Sequence, residues 1–218
     1  MAWRAVAVDL DGTLLNSKRT VSARNEKAIV AAAERGWTVI LSTARPVRAV
    51  NWAVPESFGR FYWAVCNGAW LLKDGQILQR REISPEKVRH LIDLFIRHAW
   101  SFQVEAEDRM FTDCGVPDGF AGEHYPLSQL DRHGACKLIV NVSSTEDAAE
   151  VLAVLPEGCI GVVHSGHNIV FRFLVRLFLI AFRHVTDCPR HLAGMRAPPD
   201  RAGGRSMAVF RDDEDRQL

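Results

Sequence analysis

Two carboxylates, Asp9 and Asp11, close a short apolar run in the segment Val6-Ala-Val-Asp-Leu-Asp-Gly-Thr-Leu-Leu15. Spaced i, i+2 on an extended backbone, they share a face and can reach one substrate. Two close anions repel unless a cation or a proton lies between them, and a hard, oxygen-preferring ion such as Mg²⁺ is the usual partner. Gly12 and Thr13 then break the strand, which leaves the acids at one end of a sheet. In open α/β sheets ligands bind beyond the carboxyl ends of the strands. Asp and Gly also dominate ordinary turns, so Asp-Gly alone would read as a turn. A second group follows the apolar run Trp37–Leu41: Ser42-Thr43-Ala44-Arg45-Pro46. A hydroxyl there would lie at the same sheet end as Asp9, where it could donate to a phosphate oxygen beside a helix N-terminus. The same residues also fit a helix cap with Pro46 in the first turn.

The elements that must position these groups read as follows. Residues 3–9 form a strand, Val21–Arg35 a helix with Ser22 as N-cap and Gly36 as its stop, and Trp37–Leu41 a second strand. This βαβ unit predicts parallel strands with a right-handed crossover. Phe61–Cys66 is a third strand, followed by Asn67-Gly68, the strongest short turn signal. Leu71-Leu72 and Ile77-Leu78 flank Lys73-Asp74-Gly75-Gln76 as a hairpin. Ser84-Pro85-Glu86 starts a helix that runs to about His98 with Val88, Leu91, Ile92, Phe95 and Ile96 as its stripe. Strands at Ser101–Ala106, Met110–Thr112 and Lys137–Val142, a helix at Thr145–Leu155 and a strand at Cys159–Val163 interrupt the parallel pattern. They read as a separate domain, residues 83–167, inserted into a core made of 1–82 and 168–218. Phe171–Phe182 has apolar residues at helical spacing, punctuated by Arg172 and Arg176.

Composition narrows the function classes. The chain has 218 residues, 48% of them hydrophobic, enough for one large or two small domains. A formal net charge of +1 gives no bulk electrostatic reason to expect nucleic acid or an anionic membrane as partner. The run 171–182 is too short and too charged to span a bilayer. Five cysteines without a Cys-x-x-Cys pair read as free thiols in a reducing compartment. With no charged, apolar signal segment ahead of the first strand, the expected location is cytoplasmic.

The stretch Asp9-Leu-Asp-Gly-Thr-Leu-Leu15 resembles the first motif of the haloacid dehalogenase superfamily of phosphatases. Leu41-Ser-Thr-Ala-Arg45 is similar to its second motif, an apolar strand ending in Thr-Gly-Arg, with Ala44 in place of the Gly. Asn67-Gly68-Ala69 is similar to the turn found in the Cof-type branch. The resemblance implies an α/β fold, a Rossmann-like parallel-sheet core with an inserted α+β cap that closes over the site and selects the leaving group. It implies Asp9 as the nucleophile that forms an aspartyl-phosphate and Asp11 as the acid/base. It further implies Gly12, Thr43, Arg45 and Asn67 as phosphate or substrate contacts, and Mg²⁺ held by Asp9, Asp11 and Asp212. The expected partner is a small phosphorylated metabolite resembling a sugar phosphate.

The C-terminal part departs from the pattern. No Lys follows Lys137, and Asp187 stands nearest the family's Lys. Met207-Ala-Val-Phe-Arg-Asp-Asp-Glu-Asp215 resembles the fourth motif, with Arg211 where Gly is usual. Two readings follow: a Mg²⁺-dependent phosphomonoester hydrolase, or a degenerate, catalytically weak relative that binds a phosphorylated ligand or a partner.

Overall fold

A computed structural model describes residues 5–114, 123–142, 144–154, 159–164, 168–173 and 207–210. It divides into two compact units, Met1–Gln79 with Arg176–Leu218, and Arg80–Val175.

The first unit is built on a six-stranded sheet in the order β12-β1-β2-β3-β4-β5. At its centre β1 (Ala5–Asp9), β2 (Thr38–Ser42) and β3 (Tyr62–Val65) run parallel, with Val8 beside Leu41 and Leu41 beside Trp63. Strands buried on both faces read as near-continuous apolar runs, and Val6, Val8, Val39, Leu41, Trp63 and Val65 are all buried. Helix α1 (Ala23–Glu34) connects β1 to β2. Its N-cap is Ser22, whose hydroxyl oxygen accepts from the Asn25 N–H at 3.2 Å, as the sequence predicts. Gly36, at φ +83°, turns the chain out of the helix. The short helix α2 (Val47–Ala53) follows β2. β4 (Trp70–Lys73) and β5 (Gln76–Arg80) form the expected hairpin, with Asp74 and Gly75 both at positive φ, as a two-residue turn of the right twist requires.

The other flank of the sheet is antiparallel. β12 (Met207–Phe210) pairs antiparallel with β1, with Val8 beside Met207 and Ala5 beside Phe210. The sheet is therefore mixed, parallel at its centre and antiparallel at both sides.

The second unit is a six-stranded sheet in the order β10-β11-β9-β6-β7-β8, with helices α3 (Pro85–Arg97) and α4 (Thr145–Ala153). Ser84 caps α3 and Ser144 caps α4 through their hydroxyl oxygens. β6 (Ser101–Ala106) lies between β9 (Lys137–Asn141) and β7 (Arg109–Phe111), and β7 carries the two-residue strand β8 (His124–Tyr125). Val88, Leu91, Leu94 and Phe95 of α3 join Phe102, Val104, Leu138 and Val140 in one core. Ile96, expected in the helix stripe, is instead exposed. Gln103 and Glu105 alternate with the core residues of β6 and are nevertheless buried.

β10 (Cys159–His164) and β11 (Asn168–Phe173) complete this sheet as an antiparallel pair, and β11 pairs on to β9. Two expectations are corrected here. The chain does not return to the first sheet at residue 168, because β11 belongs to the second. Nor does a helix begin at Phe171, since Phe171, Arg172 and Phe173 are strand. Ile169, Phe171 and Phe173 also satisfy a period of two, and cross-strand pairing selects that period over the helical one. The remainder of the expected helix lies outside the described residues. So do Arg183, Asp187 and Arg190.

Candidate active site

Asp9 is the last residue of β1. Its carboxylate accepts from the Leu10 N–H at 2.7 Å, which turns the side chain back over the strand end. Leu10 is fully buried and anchors the turn. The chain then winds through a five-residue turn, Leu10–Leu14, closed by a Leu15 N–H bond to the Leu10 carbonyl at 2.9 Å. Asp11 thus stands on the turn rather than on a continued strand, and the turn, not strand alternation, brings it to Asp9. Gly12 sits at φ +72° inside this turn, where a side chain would meet nothing within 4 Å. The requirement for Gly is conformational, not spatial.

The Asp9 carboxyl titrates above the usual aspartate range. Burial is the main cause, opposed by the Leu10 N–H, and the nearby Asp11 charge pushes in the same direction as burial. A carboxylate so placed gains from any cation brought beside it.

The second loop is tied to the first. Arg45 grips Asp11 in a two-pronged pair, Nε to Oδ2 at 2.8 Å and Nη2 to Oδ1 at 2.7 Å. The Asp11 bond raises the affinity of the guanidinium for its proton still further. Thr43 is buried, and its hydroxyl oxygen accepts from the Arg45 N–H at 3.2 Å. That bond uses the oxygen and leaves the hydroxyl hydrogen to donate. Ala44, standing where the family has Gly, is not at positive φ, so no Gly is needed there.

The third loop closes the group. Thr43 N–H bonds to the Ala64 carbonyl at 2.9 Å, Cys66 N–H to Arg45 at 2.9 Å and Asn67 N–H to Thr43 at 3.0 Å. Cys66, Asn67 and Gly68 all have positive φ. Asn tolerates that region; Cys seldom does, and nothing in the sequence signals it. Asp9, Asp11, Gly12, Thr43, Arg45 and Asn67 therefore gather at the carboxyl ends of three adjacent parallel strands. Sequence reading assigned Arg45 to phosphate and missed its grip on Asp11.

Asp212 itself lies outside the described residues. The strand expected to deliver it, β12, runs antiparallel to β1 and ends beside Ala5 rather than beside Asp9. Strand residues rise about 3.3 Å each, so this exit is on the order of 13 Å from the carboxylates along β1. Among the described residues no group of three or more His, Cys, Asp or Glu side chains converges. The Asp9 carboxylate still suits Mg²⁺, which commonly takes one or two carboxylates and completes its octahedron with water and substrate phosphate; Asp11 could join it once its oxygens leave Arg45.

Comparison with known proteins agrees with this geometry. The profile of the haloacid dehalogenase-like hydrolases matches residues 6–157. Phosphatase YwpJ of Bacillus subtilis is 27% identical over 150 residues, covering 68% of this chain and 50% of that protein. The chain spans about half the length of the curated relatives it matches. Among solved structures, TM0651 from Thermotoga maritima superposes with a TM-score of 0.69 at 19% identity, covering 85% of this chain and 76% of that one. The subclass IIB sugar phosphatase BT4131 superposes with a TM-score of 0.63 at 14% identity, covering 84% and 76%. A profile match over more than half of the chain, on a sheet that gathers the matched acids at its carboxyl end, places the protein in the family of haloacid dehalogenase-like hydrolases.

Proposed function

We propose that the protein is a phosphomonoester hydrolase of small phosphorylated metabolites, sugar phosphates among them. The observation that supports it most is the convergence of Asp9, Asp11 and the Thr43 hydroxyl at one sheet end. Phosphatase YwpJ, and the sugar phosphatase BT4131 whose fold the chain shares, are named for activities of the same kind.

In this reading an Asp9 oxygen attacks phosphorus and the ester P–O bond breaks. The leaving oxygen takes a proton from Asp11. Water then attacks the phosphoryl group on Asp9, gives its proton to Asp11, and phosphate leaves. Mg²⁺ bound by Asp9 and Asp11 would offset the repulsion between the anionic nucleophile and an anionic substrate. Both Asp11 oxygens are held by Arg45 in this structure, so proton transfer requires that pair to open. An arriving phosphate offers Arg45 an equivalent bidentate acceptor, which releases Asp11 and gives Arg45 the phosphate-binding role. The second unit serves as the cap that excludes water and selects the leaving group. No helix of the described residues is long and apolar enough to cross a membrane. Cysteines outside any disulfide among the described residues, such as Cys66 and Cys114, suit the cytoplasm, where we place the reaction.

A specific observation favours the second reading, a weak or inactive relative. β12 leads the chain away from the acids. Hydrolysis of p-nitrophenyl phosphate by the purified chain, with Mg²⁺ and with chelator, beside Asp9→Asn, decides between them. Metal-dependent turnover absent from Asp9→Asn supports the enzyme; no turnover from folded protein at any Mg²⁺ concentration leaves the weak relative.

A further inference from the structure

A cavity of about 350 Å³ opens in the first unit at the end of the sheet remote from Asp9. It is lined by Glu34 and Trp37 at the exit of α1, by Arg60, Phe61 and Tyr62 leading into β3, and by Lys73 closing β4. Thr38, which opens β2, is also in its wall, and Thr43 lies five residues on, about 16 Å away along the strand. The cavity is therefore distinct from the phosphate site, and its size falls at the lower end of ligand pockets.

Its chemistry is selective. Three aromatic side chains surround the space. Arg60 lies over the Phe61 ring at 5.5 Å and Lys73 over the Tyr62 ring at 5.2 Å. These contacts hold two cations against the walls. Lys73 also donates to the Arg60 carbonyl and sits 3.5 Å from Asp74. Arg60 has no carboxylate partner among the described residues and is exposed at the mouth. Lys73 is paired with Asp74, so Arg60 is the lining cation left without a carboxylate among the described residues. That balance suits a monoanion better than a phosphate dianion or a polyphosphate, and the aromatic walls suit a flat ring.

We propose that this cavity is a second binding site, for a small aromatic monoanion of the aryl or heteroaryl carboxylate class. The ring packs among Trp37, Phe61 and Tyr62, and the carboxylate takes the fork of Arg60, with Lys73 beside it. Such a ligand carries no phosphate and is not a substrate of the proposed reaction.

Calorimetric titration with 2-naphthoate tests this, and the probe cannot be hydrolysed. The expected result is one site per chain, retained in Asp9→Asn and not displaced by inorganic phosphate. Arg60→Gln, at an exposed position, is expected to weaken binding about tenfold, the scale of one lost charge-assisted bond, with the unfolding temperature and turnover unchanged. The neutral isostere 2-naphthamide is expected to bind as weakly as 2-naphthoate binds the variant. Should Arg60→Gln prove unstable, Lys73→Gln supplies the same comparison. Absence of binding to the parent chain, equal affinity in the variants, or displacement by phosphate would each overturn the proposal.

Discussion

At the scale of single residues, the site joins two requirements that oppose each other. The proposed attack needs Asp9 ionised, yet burial and the Asp11 charge raise its proton affinity. Ionised Asp9 is thus a cost to the fold. Because the folded pKa lies above the unfolded one, the stability Asp9 contributes is complete below the unfolded pKa and is lost as pH rises through the folded pKa. Asp9→Asn is therefore expected to abolish phosphate-ester hydrolysis, by at least about 10³-fold, while unfolding at or above the parent temperature at pH 7. The difference in unfolding temperature should shrink toward pH 4; thermal melts at both pH values check it. Arg45→Lys keeps the charge but loses the two-pronged grip. Asp11 is more than half exposed, so stability should change by no more than about 1 kcal/mol. Catalysis should fall by a larger factor, about 10- to 10²-fold in kcat/KM, because in the proposed mechanism the two-pronged grip passes from Asp11 to phosphate. An unchanged kcat/KM would remove Arg45 from the mechanism.

At the scale of elements, the turn after β1 and the sheet of the second unit each carry a local conflict. Gly12→Ala places a methyl group in open space but at φ +72°. The expected cost is about 1 kcal/mol from the backbone alone, read from denaturant unfolding, with a loss of turnover as the turn shifts. In the second unit, Gln103 is buried on β6 and neither end of its amide has a hydrogen-bond partner among the described residues. A buried polar group left unpaired costs about 1–3 kcal/mol. Gln103→Leu is expected to raise the stability of this unit by up to about that amount, measured by urea unfolding.

At the scale of the whole molecule, two units with separate cores share one chain. Leu91 is fully buried in the core of the second, and Leu91→Ala is expected to cost about 2–5 kcal/mol there. Hydrogen exchange should rise across residues 85–142 while β1 to β3 keep their protection. Exchange rising equally in both units would mean that they unfold as one.

What could be read from the sequence alone follows from the range of the forces involved. Ser22 and Ser84 cap their helices by bonds to the third residue on, the Asp74-Gly75 hairpin turns within four residues, and the Asp9-to-Thr13 turn follows its own strand. Each is local, so residue type and spacing suffice, and the acids, Thr43 and Asn67 were placed together by strand order. Other outcomes depend on partners distant in the chain. Arg45 chooses Asp11 across 34 positions. β11 joins β9 and β10 instead of the first sheet, and β12 runs against β1 rather than with it. An apolar strand carries the same alternation whichever direction it runs and whichever edge it meets. Only packing and backbone pairing in three dimensions decide direction and sheet.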